Sequence, residues 1–278
     1  MTLVKNTLRK QYLKHVSKNI KDMNKQSSLI TDKLIKTIMN NDNFNRIGIF
    51  MPMENEVNTI PFIENILENH KSKHIYLPIC TNTRKTGQPQ IYIYPKDKSH
   101  IHDDTKKQDH LIFKKIKNLE HLRSLEPMGR YKIREPLIEN HELYKDKIII
   151  EESEYLNHLD VLILPTVLLD KKSKIRVGYG KGYYDDFIKR YLYTNWNDES
   201  EDILKHIETL KEIKEDLLKE EDDVINKYLT FKKNYEATNK NACLPPLLVG
   251  IGFQEQIYDG VIDHEEKHDW KMDLIITS

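Results

Sequence analysis

The stretch DVLILPTVLLDKKSKIRVGYGKGYYDDF, residues 160–187, decides the architecture, because it joins an apolar strand to a glycine-rich loop and then to a helix. VLILP, residues 161–165, has no polar member, the mark of a strand buried on both faces of a sheet. Behind it Gly178, Gly180 and Gly182 alternate with Tyr179 and Lys181, although the chain of 278 residues holds only 9 glycines. Glycine lets a backbone approach an anion that a Cβ would hold away. Such a loop at the amino end of a helix offers its N–H groups to phosphate oxygens. A tight turn is the competing reading of the same glycines. The neighbours favour phosphate: Arg176 and Lys181 add cationic donors, and Asp185, in the first helical turn, suits a magnesium ion bridging phosphates. An ATP-type ligand is therefore expected. The loop fits neither common motif, since Gly182 follows Lys181 where a P-loop needs Ser or Thr, and its glycines do not make G-x-G-x-x-G.

Outward from this segment, IGIFM (47–51), HIYLPIC (74–80), LLVGIGF (247–253) and DLIIT (273–277) are further apolar strands. Amphipathic helices are expected over residues 3–20, through Leu3, Leu8, Tyr12, Leu13, Val16 and Ile20, and over 27–39, through Leu29, Ile30, Leu34, Ile35 and Ile38. Thr59 followed by Pro61 marks another helix start, with Thr59 as its cap. Strands alternating with helices predict an α/β fold: a mostly parallel open sheet with helices on both faces, a Rossmann-like three-layer arrangement. The chain reads as one domain, 1–278, interrupted by two insertions. Residues 96–126 form a charged loop, and 193–244 a charged, partly helical or disordered stretch. In the second, Ile203, Ile207, Leu210, Ile213 and Leu217 recur at helical spacing, which predicts a solvated helix docked loosely on the domain rather than a partner site.

Lys plus Arg and Asp plus Glu both number 44, so the formal net charge is zero, against a chain whose task is to coat nucleic acid or anionic membrane. Cys80 and Cys243 cannot assemble a disulfide framework or a four-cysteine zinc site, which suits a reducing compartment. No apolar run of membrane-spanning length is present, nor a secretory signal, and a soluble, cytoplasmic protein is expected. The basic start (Lys5, Arg9, Lys10, Lys14, Lys18, Lys21 and Lys25 against Asp22) has the look of a mitochondrial presequence, the alternative localisation.

Four segments in order, IGIFMPMENEVNT (47–59), DVLILPTVLLD (160–170), RVGYGKGYYDDFIKRY (176–191) and VGIGFQEQIYDGVIDHEEKHDWKMDLIIT (249–277), resemble the 5-formyltetrahydrofolate cyclo-ligase family, also called methenyltetrahydrofolate synthetases. The resemblance runs from about residue 3 to the end, apart from the insertions. It implies ATP- and Mg2+-dependent cyclisation of 5-formyltetrahydrofolate to 5,10-methenyltetrahydrofolate, with ADP and phosphate released. It assigns ATP contacts to Lys5 and Arg9, four residues apart on one helix face, and to Arg176, Val177, Gly178, Tyr179, Gly180, Lys181, Gly182, Tyr183 and Tyr184. Arg176, Lys181 and Tyr183 are the implied catalytic groups, and Asp185 and Asp269 the implied metal ligands. Met51, Glu56, Tyr131, Glu135 and Gln256 are the implied folate contacts. A carboxylate such as Glu56 accepts two parallel N–H bonds from a flat heterocycle. GRYKIREP (129–136) departs from the family pattern, because Arg134 stands where proline is usual; proline is also absent near Ile262. On residue type alone, Lys5 and Arg9 read equally as solvated charge, Glu56 as an exposed strand-end acid and Tyr184 as a core aromatic.

HEEKH, residues 264–268, fits the H-E-x-x-H zinc pattern, but Gly260 lies just before it and a strand begins just after, leaving no room for the helix that motif needs. Two other readings stay open: a nucleic-acid-binding module using the Gly/Tyr/Lys loop and KKIK (114–117), and a phosphosugar or coenzyme A ester enzyme using the same cleft. Zero net charge opposes the first, and the second has no use for Glu56 together with the basic pair. The expected partners are thus 5-formyltetrahydrofolate and ATP, with no nucleic acid, membrane or protein partner.

Overall fold

A computed structural model describes residues 3–15, 18–82, 108–129, 131–136, 159–194, 203–217, 223–238, 244–262 and 269–278. The H-E-x-x-H stretch with His268, residues 96–107 and Cys243 lie outside the described residues. In chain order the strands are β1 (Arg46–Ile49), β2 (His74–Asn82), β3 (Asp109–Lys115), β4 (Pro127–Met128), β5 (Ile133–Arg134), β6 (Val161–Leu164), β7 (Leu168–Leu169), β8 (Arg176–Val177), β9 (Leu247–Gly252) and β10 (Leu274–Thr277). The α-helices are α1 (Leu3–His15), α2 (Met23–Leu34), α3 (Ile60–Asn69), α4 (Leu119–Arg123), α5 (Tyr183–Thr194), α6 (Ile203–Leu217) and α7 (Val224–Thr238).

All five apolar runs become neighbours in a six-stranded sheet of order β10-β9-β6-β1-β2-β3, parallel except for β3 at the edge. Side chains alternate across it because successive residues of a strand point to opposite faces. Val161 and Ile163, with Ile75, Leu77, Leu247, Val249 and Ile251, join α2, α3 and α4 in one core. Leu162 and Leu164, with Tyr76 and Leu248, join α5 and α6 in the other. The expected three-layer α/β fold is therefore present.

Three expectations change. The stretch 96–126 is not simply a loop, because residues 109–115 pair antiparallel with β2 and residues 119–123 are helical. The apolar centre HLIF is short and flanked by Asp and Lys, the composition of a protected edge strand, so it reads as polar. The 203–217 helix forms where its periodicity placed it, but it is not loosely docked: Leu210 is fully buried and Lys214 pairs with the buried Asp273 at 2.8 Å. A second insertion helix, α7, packs beside it, with the Tyr228 hydroxyl donating to the Pro245 carbonyl at 2.9 Å. Finally, Thr59 is the N-cap residue of α3, as expected, but its hydroxyl does not cap: it donates to the Phe50 carbonyl at 2.8 Å, and the Asn58 side chain accepts the Ile60 N–H at 3.2 Å.

The sheet changes direction of growth at β1. From β1 the chain moves outward to β2 and β3, whereas β6, β9 and β10 add on its other side. A crevice opens at the carboxyl ends of the two strands flanking such a switch point, and open α/β sheets bind ligands there. Beyond β1, whose pairing with β2 stops at Tyr76, β2 and β3 continue together to Asn82 and wall the crevice.

Lys214→Ala leaves the Asp273 carboxylate buried without its cation and should cost about 3–5 kcal/mol in urea unfolding. Lys232→Ala removes a more exposed pair with Asp160 and should cost roughly 1 kcal/mol or less.

Candidate functional site

Two segments reach the crevice from the switch-point strands. From β1 the chain passes through Met51 to Glu56, and from β6 it passes through the hairpin β7–β8 to the glycine loop. The loop does not follow the buried strand directly, as the sequence suggested. The hairpin intervenes, its turn held by Asp170, which accepts from the Lys172 and Ser173 N–H groups and the Ser173 hydroxyl. These bonds, with one from the Ile262 N–H, outweigh burial and hold the Asp170 carboxyl below its usual range.

Helix α1 docks on this hairpin. Leu8 and Tyr12, one turn apart, pack against Leu168, Ile175, Val177 and Ile262. That contact brings Arg9 to the loop and sets Lys5, one turn before it, against Asp269. Lys5 is buried and bonds the Asp269 carboxylate. The Arg9 guanidinium donates from Nε to the Gly178 carbonyl at 2.6 Å and from Nη1 to the Asn6 side chain at 2.7 Å. Arg176 folds back to donate to the Pro165 carbonyl at 3.0 Å and lies 3.7 Å from the Asp185 carboxylate. Its guanidinium also stands 5.5 Å from the centre of the Tyr184 ring, and its buried Nε has no hydrogen-bond partner among the described residues. Arg9 and Arg176 therefore meet at one loop, while Lys5 pairs with Asp269 and Lys181 at the loop's tip is exposed.

The glycines answer first to these cations. A Cβ at 178 would stand 2.7 Å from Arg176 Nη1, and one at 180, where φ is +91°, would stand 3.0 Å from Arg9 Nη1. The groups that approach these positions are the flexible ends of the protein's own arginines, and at Gly180 the left-handed backbone adds a demand of its own.

Glu56 is buried, not the exposed acid that strand-end statistics suggest. One oxygen accepts the Met53 N–H at 2.9 Å, and the Tyr179 hydroxyl of the glycine loop also donates to the carboxyl. Burial outweighs both bonds and raises the Glu56 pKa to about 7. Burial, then the Glu56 charge, drives the Tyr179 hydroxyl well above its ordinary value, so it stays a donor even though the residue keeps 40% of its surface. Tyr184 is raised by the same two causes, against Arg176.

A third group gathers at the far end of β2. The Tyr183 hydroxyl bonds the Cys80 side chain, and the Cys80 N–H donates to Glu135 at 3.4 Å. Burial lifts the Glu135 carboxyl above its usual range. Tyr131, beside Tyr183, is 62% exposed. Cys80, exposed and in no disulfide, is a thiol that residue type alone did not single out; its place on β2 beyond the end of β1 was the available signal. Also unforeseen is a buried cluster under α5: Arg190 donates to Asp186 at 2.8 Å and to Gln108 at 2.9 Å, and Gln108 donates to Asp186 at 3.3 Å. Beside it His110, fully buried and facing Arg190, has its pKa lowered to about 4, chiefly by burial. The Asp186 and Arg190 spacing of four was legible as a helix pair.

Two expected folate contacts sit deeper than that role suggests. Met51 is part of the main core. Gln256 is buried, accepting the Phe253 N–H at 2.8 Å and donating to the Thr166 carbonyl at 2.8 Å, so its amide joins the turn after β9 to the loop after β6.

Fold and site together define a Rossmann-like α/β protein with a cation-lined glycine loop meeting a buried acid at the sheet's switch point. The model of the 5-formyltetrahydrofolate cyclo-ligase family matches residues 2–230. The chain belongs to that family and is an enzyme of its class. The 5-formyltetrahydrofolate cyclo-ligase of Saccharomyces cerevisiae is 30% identical over 188 residues, covering 67% of this chain and 76% of the yeast protein. Among solved structures, a 5,10-methenyltetrahydrofolate synthetase from Mycoplasma pneumoniae aligns over 98% of both chains at 17% identity and a TM-score of 0.46. One from Aquifex aeolicus aligns over 99% of this chain and 89% of its own at 16% identity and a TM-score of 0.49.

The Glu56 charge should cost stability. Its folded pKa, about 7, lies above the unfolded 4.5, so between these values the folded state holds the extra proton and stability falls as pH rises. Glu56→Gln should match the parent near pH 4 and exceed it by about 3 kcal/mol at pH 8, measured by denaturant unfolding at each pH.

Proposed function

We propose that the chain closes the ring of 5-formyltetrahydrofolate to 5,10-methenyltetrahydrofolate, using ATP with magnesium and releasing ADP and phosphate. The observation that carries this reading is the bond from Tyr179 to Glu56, which makes the glycine loop and the buried acid parts of one cleft. The substrate's formyl oxygen attacks the γ-phosphorus, forming an O–P bond as the bond to ADP breaks. The second folate nitrogen then attacks the activated formyl carbon, its proton leaves, and phosphate departs with the carbon–oxygen bond.

Such a reaction needs alignment and charge neutralisation more than covalent help. Arg9, Arg176 and Lys181 supply fixed and mobile positive charge to the triphosphate, and Lys5 holds Asp269 beside them. Tyr183, kept protonated by burial and by its bond to Cys80, is a donor at the start of α5. Glu56 accepts the N–H pair of the pterin, and Tyr131 and Glu135 line the approach from β5. Magnesium is commonly held by one or two carboxylates together with substrate phosphates and water. Asp185, in the first turn of α5, and Asp269 are the two carboxylates for this role. When bound, magnesium neutralises phosphate charge.

The direct test is near-ultraviolet absorbance of the methenyl product, with folate, ATP and magnesium omitted in turn. A signal requiring all three is expected; a signal without ATP, or none from folded protein, overturns the reading. Lys181→Ala should raise the KM for ATP, and Glu56→Ala should weaken folate binding while leaving nucleotide binding intact.

Substrate N–H groups bind the ionised carboxylate, so folate affinity should follow the ionised fraction of Glu56. It should fall about tenfold per pH unit below 7. Calorimetric titration from about pH 5.5 to about pH 8 should show affinity levelling off above the Glu56 pKa and falling with this slope below it in the parent, and should lose the slope in Glu56→Gln.

A further inference from the structure

The helix α6 lies in the stretch the sequence marks as an insertion, yet one of its faces holds the segment 269–273 almost residue by residue. Lys211 Nζ donates to the backbone carbonyl of Asp269 at 2.6 Å and stands 4.9 Å from the centre of the Trp270 ring. Lys214, one turn on, stands 5.9 Å from the same ring and bonds the Asp273 carboxylate at 2.8 Å. Glu215 takes Lys271 at 2.8 Å. Residues 211, 214 and 215 share one helix face, so the three grips come from a single side of α6. The far end of the segment is fastened to the sheet: the Asp273 carboxylate accepts the Leu248 N–H at 2.7 Å, and the Asp273 N–H donates to the Leu248 carbonyl at 2.9 Å. The near end is Asp269, whose carboxylate is bonded by Lys5 of α1.

We infer that α6 is a positioning element for the nucleotide end of the site, with Lys211 setting where the Asp269 carboxylate stands relative to Lys5. Asp269 is anchored on its carboxyl side by the sheet four residues away, through Asp273. Lys211 supplies the grip at Asp269 itself. Its bond is charge-assisted and partly buried, the kind that fixes a backbone rather than decorates it. Trp270 makes the grip selective, because a cation over an indole face is held there in preference to solvent. Since α1 also carries Arg9 to the glycine loop, displacement of Asp269 releases Lys5 and loosens the helix that presents Arg9. The loop's other links, Tyr179 to Glu56 and Tyr183 to Cys80, do not pass through α6. The brace therefore acts on the nucleotide and not on the folate. This inference rests on the cyclo-ligase reading of the site.

The experiment is steady-state kinetics of the full chain in Lys211→Met, Lys211→Arg and Asp269→Asn, with both substrates varied. Lys211→Met keeps the stem over Trp270 and removes the donor; its KM for ATP should rise roughly tenfold with the KM for 5-formyltetrahydrofolate unchanged. Lys211→Arg, which restores a donor, should return most of the loss; a purely structural role would lower the active fraction and leave both KM values alone. Asp269→Asn separates the two layers of the argument. If it raises the KM for ATP while Lys211→Met does not, the brace is wrong and the site reading stands. If Asp269→Asn changes nothing, the assignment of Asp269 to the nucleotide end fails first. Should Lys211→Met not fold, Lys211→Leu, which also has no donor for the Asp269 carbonyl, carries the same comparison of the two KM values.

Discussion

The crevice is shaped from the opposite end of the sheet, where the Asp160 carboxylate ties strands together before they enter the core. Its Oδ2 accepts the N–H groups of Asn45 and Arg46, each at 2.9 Å, and its Oδ1 takes Lys232 of α7 at 3.2 Å. Its own backbone bonds the Arg46 carbonyl and the Leu247 N–H, so β1, β6 and β9 start in a common register. A slip of one residue would exchange Val161 and Ile163 with Leu162 and Leu164 between the two cores. It would also move the β1 end by about 3.3 Å, the rise of one strand residue. That exceeds the tolerance of the Tyr179 to Glu56 hydrogen bond, so the acid and the loop meet only because the strands begin together.

With the register set, the site is assembled from opposed costs. Glu56 is held where its charge is disfavoured, and the two groups that temper this are a backbone N–H from its own turn and a hydroxyl from the opposing loop. The glycine loop gathers Arg9 and Arg176 through carbonyl acceptors and an aromatic face, with one carboxylate at long range. Positive charge is thus concentrated on the loop, the electrostatic arrangement that suits an arriving polyanion and needs little rearrangement when it comes. The buried Asp186, Arg190 and Gln108 cluster beneath α5 keeps the helix start in place without contributing charge to the loop.

Much of this was legible because burial on both faces leaves continuous apolar runs, and each such run became a strand of the main sheet. The pair Lys5 and Arg9 was legible as one helix face, although only the packing of Leu8 and Tyr12 on the hairpin shows which way that face points. What escaped has specific causes. Strand β3 escaped because an edge strand carries charge to discourage further pairing. The hairpin β7–β8 escaped because two-residue strands have no period to detect. Thr59 holds the N-cap position that its pattern indicated, but its hydroxyl does not cap, because it can choose between the helix end and a nearer tertiary acceptor, here the Phe50 carbonyl. The pairing of Tyr179 with Glu56 joins residues more than a hundred positions apart and leaves no local trace. Helix α6 was placed by its apolar positions, while its lysines, read as solvation, proved to be its fastenings.

The glycine loop also has an evolutionary reading. If Gly178 and Gly180 were required only by a ligand, they would be constrained by the ligand alone, whatever stood elsewhere in the chain. The contacts say otherwise: Gly180 makes room for the Arg9 side chain and Gly178 for that of Arg176. Each glycine thus faces an arginine, Gly180 the Arg9 of α1 and Gly178 the Arg176 two residues before it. A lineage that shortened Arg9 would free position 180 of its steric constraint, though not of its backbone one, since φ there is +91°. Position 178 carries no such backbone demand, so its tolerance of a side chain should track residue 176 across related sequences as a covarying pair.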